Sequence, residues 1–238
     1  MTTAALAVAG LTRLTTCDWP GRLAAAVFLQ GCPWRCGYCQ NPGLIDPAAP
    51  GQIAWPAVTA FLARRRGLLD GVVFSGGEPT RQPALAPAMA EVRALGFAVG
   101  LHTAGAYPRR LAAVLPLTDW VGLDVKALPD GYAAVTGAAA SADRAYAALR
   151  LVTASGVDHE VRVTVDPTRH TAPGLRALVA RLQAEGAARI VLQEARAQGA
   201  SPAYAAALAG RRLRDVIDPP PPGVTVRGPL DETTAIAA

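Results

Sequence analysis

The sequence predicts an α/β protein whose parallel strands form an open, partial (β/α)6 barrel. Three observations carry this expectation. Six short apolar runs alternate with stretches of helical spacing along most of the 238 residues, the pattern of strands joined by helical crossovers. Six such units are too few for a closed eight-fold barrel. Residues able to bind or react also fall, one group after another, just past the C-terminal ends of the runs, where parallel α/β sheets place their ligands.

The elements follow in order. Residues 23–30 form an apolar run without helical breaks, read as a buried strand, and it delivers Cys32-Pro33-Trp34-Arg35-Cys36-Gly37-Tyr38-Cys39 at its end. Residues 55–67 read as a helix ended by glycine. A second strand, 71–74, precedes Ser75-Gly76-Gly77-Glu78-Pro79. A helix over 82–95 stops at Gly96, and a third strand, 97–101, leads to Thr103-Ala104-Gly105. A short helix over 109–115 precedes a fourth strand, 120–125, which carries Asp124 and leads to Lys126. Ser141 can N-cap a helix to about 154, with Gly156 behind it. The fifth strand, 159–165, is apolar at Val161, Val163 and Val165, so Arg162 takes the opposite face. A helix over 175–184 and a sixth strand, 189–192, bring in Gln193 and Glu194, and a last helix spans 203–216. The four prolines 219–222 read as a stiff extended spacer. Residues 223–238 read as a tail with room for an edge strand at 224–227. The expected division is a core domain over 1–216 and a spacer and tail over 217–238.

Composition narrows the function. Hydrophobic residues make up 51% and charged residues 17% of the chain, a globular balance rather than a disordered one. The length suits one large core. A net charge of +5 permits an acidic partner. However, the positives are scattered apart from Arg64-Arg65-Arg66 and Arg211-Arg212, which read as solvated helix faces. Aromatics at 5% supply no base-stacking platform, so no nucleic-acid partner is expected. Residues 1–10 lack the basic start of a signal peptide, and no apolar run reaches membrane-spanning length. Of four cysteines, three lie in one loop. That is not a disulfide framework and fits a reducing cytoplasm.

Three thiolates spaced so closely can converge on one soft-metal centre. Three ligands would leave one iron of a [4Fe–4S] cube without a protein ligand, open to a substrate or cofactor. Zinc competes, but structural zinc prefers four ligands. A fourth is hard to find, since only Cys17, His102, His159 and His170 remain. Cys17 reads as a buried or half-buried thiol, and the three histidines as structural. Gly76 and Gly77 lack Cβ, so backbone polar groups there can approach a ligand closely. Asp124 and Lys126 share one face of a strand and could form a buried ion pair or bind a ligand. Arg162 inside the barrel would suit a carboxylate, though a surface position is the plainer alternative.

Cys32, Cys36 and Cys39, with Tyr38 before the third cysteine, resemble the CxxxCxΦC loop of the radical SAM superfamily. The flanking Asp18-Trp19-Pro20-Gly21-Arg22 and the runs 28–32 and 38–42 look like the activating enzymes of glycyl radical enzymes, most of all those of anaerobic ribonucleoside-triphosphate reductase. Most of that branch reads His where this chain has Gln40. The resemblance covers residues 12–193. It implies the partial barrel, a [4Fe–4S] cluster on the three cysteines, and S-adenosylmethionine cleaved reductively to a 5′-deoxyadenosyl radical. It also implies a glycyl radical installed on a partner, an anaerobic ribonucleotide reductase-like enzyme, and an electron donor such as flavodoxin or ferredoxin. Ser75-Gly76-Gly77-Glu78-Pro79 resembles the family's GGEP motif, which holds the cofactor's amino group; Glu78 would place negative charge near that ammonium. Tyr38, Thr103, Asp124, Lys126, Arg162 and Gln193 complete the implied cofactor site. Related activases often read Asp-Thr-Asn-Gly where this chain has His102-Thr103-Ala104-Gly105, which leaves open whether a cation site requiring that Asp exists. The alternatives are an activase of a formate-lyase-like enzyme, a radical SAM enzyme for a small molecule such as a deazapurine-forming synthase, or a non-enzymatic iron–sulfur or zinc module.

Overall fold

A computed structural model describes residues 6–228. Its strands are β1 (Val8–Thr15), β2 (Ala24–Leu29), β3 (Gly71–Gly76), β4 (Ala98–Thr103), β5 (Trp120–Asp124), β6 (Asp158–Val165), β7 (Ile190–Glu194) and β8 (Val224–Arg227). They form one sheet in sequence order. β1 runs antiparallel to β2, and every later pair is parallel. β1 and β8 are the two edges, so the sheet is an open α/β barrel rather than a closed one. The helices are α1 (Trp55–Ala63), α2 (Leu85–Ala94), α3 (Pro108–Val114), α4 (Pro129–Thr136), α5 (Ser141–Ala154), α6 (Ala172–Ala184) and α7 (Pro202–Leu208).

All six expected strands are present as β2 to β7, with ends shifted by no more than two residues. Two elements were not expected. β1 carries two small residues and three consecutive exposed positions, so it shows neither a continuous apolar run nor a clean alternation. α4 has only eight residues, although Pro129 at its start and Gly137 in the left-handed conformation at its end are ordinary helix limits. Other limits move. Ser141 is the first residue of α5 rather than its cap, and its hydroxyl instead pairs with Thr136 Oγ1 at 2.6 Å. The last helix stops at Leu208 because Ala209 and Gly210 turn left-handed. Arg211 and Arg212 therefore leave no solvated helix face: Arg211 bonds the carbonyl of Pro167, and Arg212 pairs with Glu194. The sheet also runs past the domain limit expected at 216, since β8 pairs with β7. The rest of the expected tail, 229–238, lies outside the described residues.

Alternation along the strands sorts the core into two clusters. One set of faces, including Val27, Leu29, Val72, Phe74, Val121, Leu123, Val161 and Val163, packs with helix residues such as Leu62, Met89, Leu149 and Leu178 into the main cluster. The other faces turn inward, where Trp19, Ala24, Val73 and Trp120 form a small separate cluster. The Trp19 and Trp120 rings stack at 5.7 Å. Space for Trp19 comes from missing side chains: a Cβ on Gly71 would stand 2.8 Å from its ring, and one on Gly100 2.9 Å. The segment between β1 and β2 thus folds back and fills the barrel interior with an indole.

Trp19→Ala should lower stability by about 3–5 kcal/mol, the cost of emptying a packed aromatic site. Urea unfolding followed by far-UV circular dichroism measures this. A loss below about 1 kcal/mol, the size of a surface substitution effect, would contradict the plug.

Candidate active site

The cysteine loop is fixed at both ends and anchored by two rings. Gln30, buried after β2, donates through Nε2 to the carbonyls of Gly43 at 3.0 Å and Asp46 at 2.9 Å, and its own carbonyl accepts from Gln82 Nε2 at 3.0 Å. Gly31 turns the chain at φ +95°, a conformation that favours glycine. The N–H groups of Gly31 and Cys32 then donate to the carbonyls of Leu44 and Ile45 at 2.8 and 3.0 Å. Trp34 and Tyr38 point into the core, meeting Tyr132 and Tyr204 edge-on at 5.8 and 6.4 Å. Cys32, Cys36 and Cys39 are free, half-buried, and all on the wall of one cavity of about 590 Å³.

The glycine turn after β3 packs against that loop. A Cβ on Gly76 would stand 2.3 Å from the Leu29 nitrogen, and one on Gly77 2.5 Å from the Gly31 oxygen. The Gly77 and Glu78 N–H groups donate to the carbonyls of Leu29 and Gly31, both at 2.9 Å. The bare backbone at Gly77 thus admits the cysteine loop itself, while both glycines also line the cavity. Glu78 is placed differently from expectation. It is fully buried and does not line the cavity. Its Oε1 accepts from Thr80 N–H, Thr80 Oγ1 and Thr103 Oγ1 at 3.1, 2.6 and 2.7 Å, and its Oε2 from Ala104 N–H at 2.9 Å. Both oxygens are spent on protein donors, which ties the ends of β3 and β4 together.

Tyr38, Thr103, Asp124, Lys126, Arg162 and Gln193 all line the cavity with the cysteines. Asp124 is the electrostatic centre, with Arg162 Nε at 2.8 Å and Lys126 Nζ at 3.5 Å. Arg162 lies inside the barrel as the alternation requires, because Gly122 leaves room: a Cβ there would meet its Nη1 at 2.8 Å. Burial opposes charge on Asp124, but Arg162 and Lys126 outweigh it and hold the carboxyl below its ordinary range. The Lys126 backbone is clamped on both sides, its N–H donating to Tyr132 Oη and its carbonyl accepting from His170 Nε2, both at 3.2 Å. Tyr38 Oη is buried without a hydrogen-bond partner among the described residues.

Several cavity residues were not anticipated. His102 belongs to the wall and is structural: its Nε2–H donates to the Asp18 carbonyl at 2.6 Å, and its Nδ1 accepts from Ser75 Oγ at 3.3 Å. Burial lowers it to about 3, so the ring is neutral. Arg227 comes from β8 and is forked onto Glu160 at 3.0 and 3.1 Å. Its signal was the two-residue alternation of Val224-Thr225-Val226-Arg227, too short to orient from sequence. Cys17 corrects an expectation. It is exposed, it stands on the cavity wall, and Thr15 Oγ1 tethers both its backbone N–H at 3.3 Å and its Sγ at 3.5 Å.

Among the described residues, no three His, Cys, Asp or Glu side chains are disposed to hold one metal ion. The three loop thiols share a cavity wall instead, and a polynuclear cluster, whose thiolates bind separate irons, suits such a donor set better than a single ion. Burial pushes the Cys32 thiol up to about 12 and raises Cys36 as well, so loading a metal there must release protons. The same cavity holds two cations and a carboxylate able to take the ends of a zwitterionic ligand. The residues present therefore fit a cluster together with an amino-acid-like cofactor.

Residues 26–170 match the family model described as the Radical SAM superfamily. A Methanocaldococcus jannaschii protein named as a glycyl-radical enzyme activating enzyme is 30% identical over 141 residues, covering 52% of each chain. The pyruvate formate-lyase-activating enzyme of Clostridium pasteurianum is 35% identical over 126 residues, covering 50% of this chain and 52% of the other. The chain thus spans about half the length of these curated relatives. A radical SAM methyltransferase from Sphaerobacter thermophilus has the same fold, with a TM-score of 0.63 at 16% identity over 94% of this chain and 77% of that one.

Arg162→Met should raise the Asp124 carboxyl toward or above its ordinary value, because it removes the nearer of the two cations that outweigh burial. The ionised Asp124 stabilises the fold at pH above the ordinary aspartate range, and that contribution is lost as pH falls through its lowered value. In the variant this contribution should shrink or vanish, because a carboxyl that titrates at or above its unfolded value adds no stability on ionising, while the carboxyl itself titrates at higher pH than in the parent. A carboxyl-carbon NMR titration reads it directly, and an unmoved Asp124 would contradict the assignment.

Proposed function

We propose that this chain, which belongs to the radical SAM superfamily, is an activating enzyme that installs a glycyl radical on a partner protein. The observation that carries the reading is the meeting, in one cavity, of Cys32, Cys36 and Cys39 with the Lys126–Asp124–Arg162 charge group. Members of the superfamily use a [4Fe–4S] cluster and S-adenosylmethionine. When bound, this pair supplies one-electron cleavage of the sulfonium to methionine and a 5′-deoxyadenosyl radical, which takes hydrogen from a glycine.

The residues have separable tasks in this reading. Cys32, Cys36 and Cys39 would hold the cluster and leave one iron without a protein ligand. Arg162 and Lys126 would orient the cofactor carboxylate by charge, with Asp124 holding both cations in place. Asp124 would also present a cavity-lining carboxylate to the cofactor ammonium, a role that Glu78, buried and off the cavity wall, is not placed to fill. Gly76, Gly77, Thr103, Tyr38 and Gln193 would supply the remaining polar wall. The Trp19–Trp120 stack beneath excludes water from the inner end of the barrel, as radical chemistry requires.

The activase assignment draws support from the names of the relatives and from the matches at residues 18–22, 28–32 and 38–42. The partner we favour is an anaerobic ribonucleotide reductase-like enzyme, with flavodoxin or ferredoxin as electron donor and the cytoplasm as setting. No helix among the described residues is long and apolar enough to cross a membrane.

The test mixes reduced, reconstituted protein with S-adenosylmethionine and the glycyl radical enzyme encoded nearest to it, without oxygen. A doublet glycyl EPR signal that disappears when the partner's loop glycine is changed to alanine is expected. Cofactor cleavage that instead accompanies turnover of a small molecule, with no radical on any such partner, would contradict the proposal.

A further inference from the structure

Tyr204, Asp166 and His170 stand off the cavity wall, yet they complete a circuit of contacts through Lys126. The Lys126 ammonium lies 5.7 Å from the centre of the Tyr38 ring, within cation–π reach. The Tyr38 ring meets the Tyr204 ring edge-on at 6.4 Å. Tyr204 Oη donates to Asp166 Oδ1 at 2.9 Å. The Asp166 N–H donates to His170 Nδ1 at 2.9 Å, and His170 Nε2–H donates to the Lys126 carbonyl at 3.2 Å. The path leaves Lys126 by its side chain and returns to its backbone. It crosses the end of β5, the cysteine loop, α7 and the turn after β6.

The polar links of the circuit are held from several sides. Burial lowers His170 below the ordinary histidine range, so its ring is neutral, and an Nδ1 that accepts leaves the one ring proton on Nε2. Asp166 is buried, and its Oδ1 also accepts from Thr168 N–H and Oγ1 at 2.9 and 2.7 Å. Its Oδ2 has no hydrogen-bond partner among the described residues, and Arg169 Nε lies 3.9 Å away. A carboxylate so enclosed costs free energy, and holding α7 to the barrel does not require it. Arg211, just past α7, already bonds the Pro167 carbonyl at 2.9 Å. The turn before α7 packs on the cysteine loop directly, since a Cβ on Gly199 would stand 2.7 Å from the Gln40 carbonyl oxygen. What the Tyr204–Asp166 bond adds is a fixed partner for Tyr38.

We infer that Tyr204, held by Asp166, is a positioning residue that seats the Tyr38 ring against Lys126 and so sets where that ammonium stands relative to the cysteine loop. The inference rests on the reading of the cavity as a cluster-and-cofactor site and not on the identity of the partner. Tyr38 lies between Cys36 and Cys39 in the chain, so a shift of its ring against Lys126 is a shift of the charge group against the cluster ligands. His170 fixes the backbone of the same lysine from the other side. A lysine ammonium rides on a flexible four-carbon stem, and its 3.5 Å approach to Asp124 does not by itself choose one position. The Tyr38 ring restricts that choice.

The test separates positioning from simple fastening. Tyr204→Phe keeps the ring and removes only the hydroxyl that ties it to Asp166. His170→Phe opens the circuit at the Lys126 carbonyl, so that one folding failure does not decide the matter. Iron content, melting temperature and the dissociation constant for S-adenosylmethionine, read by equilibrium dialysis on reconstituted protein, are measured for each variant alone and combined with Lys126→Met. Each single variant should keep its iron within about twofold of the parent and bind the cofactor about five- to tenfold more weakly, the size of one partly buried cation–π contact. In the Lys126→Met background the same change should have no further effect, because the group it acts through is gone. Folded, iron-loaded variants that bind the cofactor as tightly as the parent, whatever their melting temperature, would overturn the inference. An equal weakening in the Lys126→Met background would overturn it too. A parent protein that loads iron yet binds no S-adenosylmethionine would instead overturn the cofactor reading itself.

Discussion

One buried carboxylate holds the working end of this barrel together. Glu78 has no contact with solvent, and its two oxygens take four donors from Thr80, Thr103 and Ala104. Charge-assisted bonds of this kind are worth about 1.5–3 kcal/mol each, and the donors would be left unpaired without it. Burial raises the carboxyl and these donors pull it back. Because the Glu78 backbone is also bonded to Gly31, the same residue fastens the β3 turn, the start of the cysteine loop and the end of β4. The cysteines are thus placed by a turn that cannot shift without leaving a buried carboxylate and its donors unpaired.

The interior follows from the same economy of space. Gly71 and Gly100 admit the Trp19 indole, Gly122 admits the Arg162 guanidinium, and Gly77 admits the backbone of the cysteine loop. In each case the absent Cβ lets a larger group take a place that strand alternation alone would give to a side chain. Aromatic packing closes the inner end of the barrel, and charge begins above it: Glu160 with Arg227, then Asp124 with Arg162 and Lys126. His102, neutral and bonded at both nitrogens, joins the two layers through Asp18 and Ser75.

The strands were legible because they are short apolar runs whose outer faces are continuous with the core. Arg162 could be aimed inward for the same reason. The site was legible where several residues of one strand end share a task, as in the cysteine loop and the Asp124–Lys126 pair. What escaped was set by long-range partners. β1 exists through pairing with β2 and shows little periodicity of its own. The role of Glu78 depends on Thr103 and Ala104, 25 and 26 residues away. The exposure of Cys17 and the inward turn of Trp19 both come from a fold-back that no local signal announces. Arg227 enters the cavity from a four-residue strand.

The sharpest question is whether the three thiols present a centre with a position open to S-adenosylmethionine. EPR of the reduced, anaerobically reconstituted protein, recorded with and without S-adenosylmethionine, answers it directly. The spectrum should change on adding the cofactor, in parent protein and in Cys17→Ala alike, and Cys36→Ala should give no cluster signal at all. A cluster spectrum indifferent to the cofactor, or one lost equally with Cys17→Ala, would contradict the assignment.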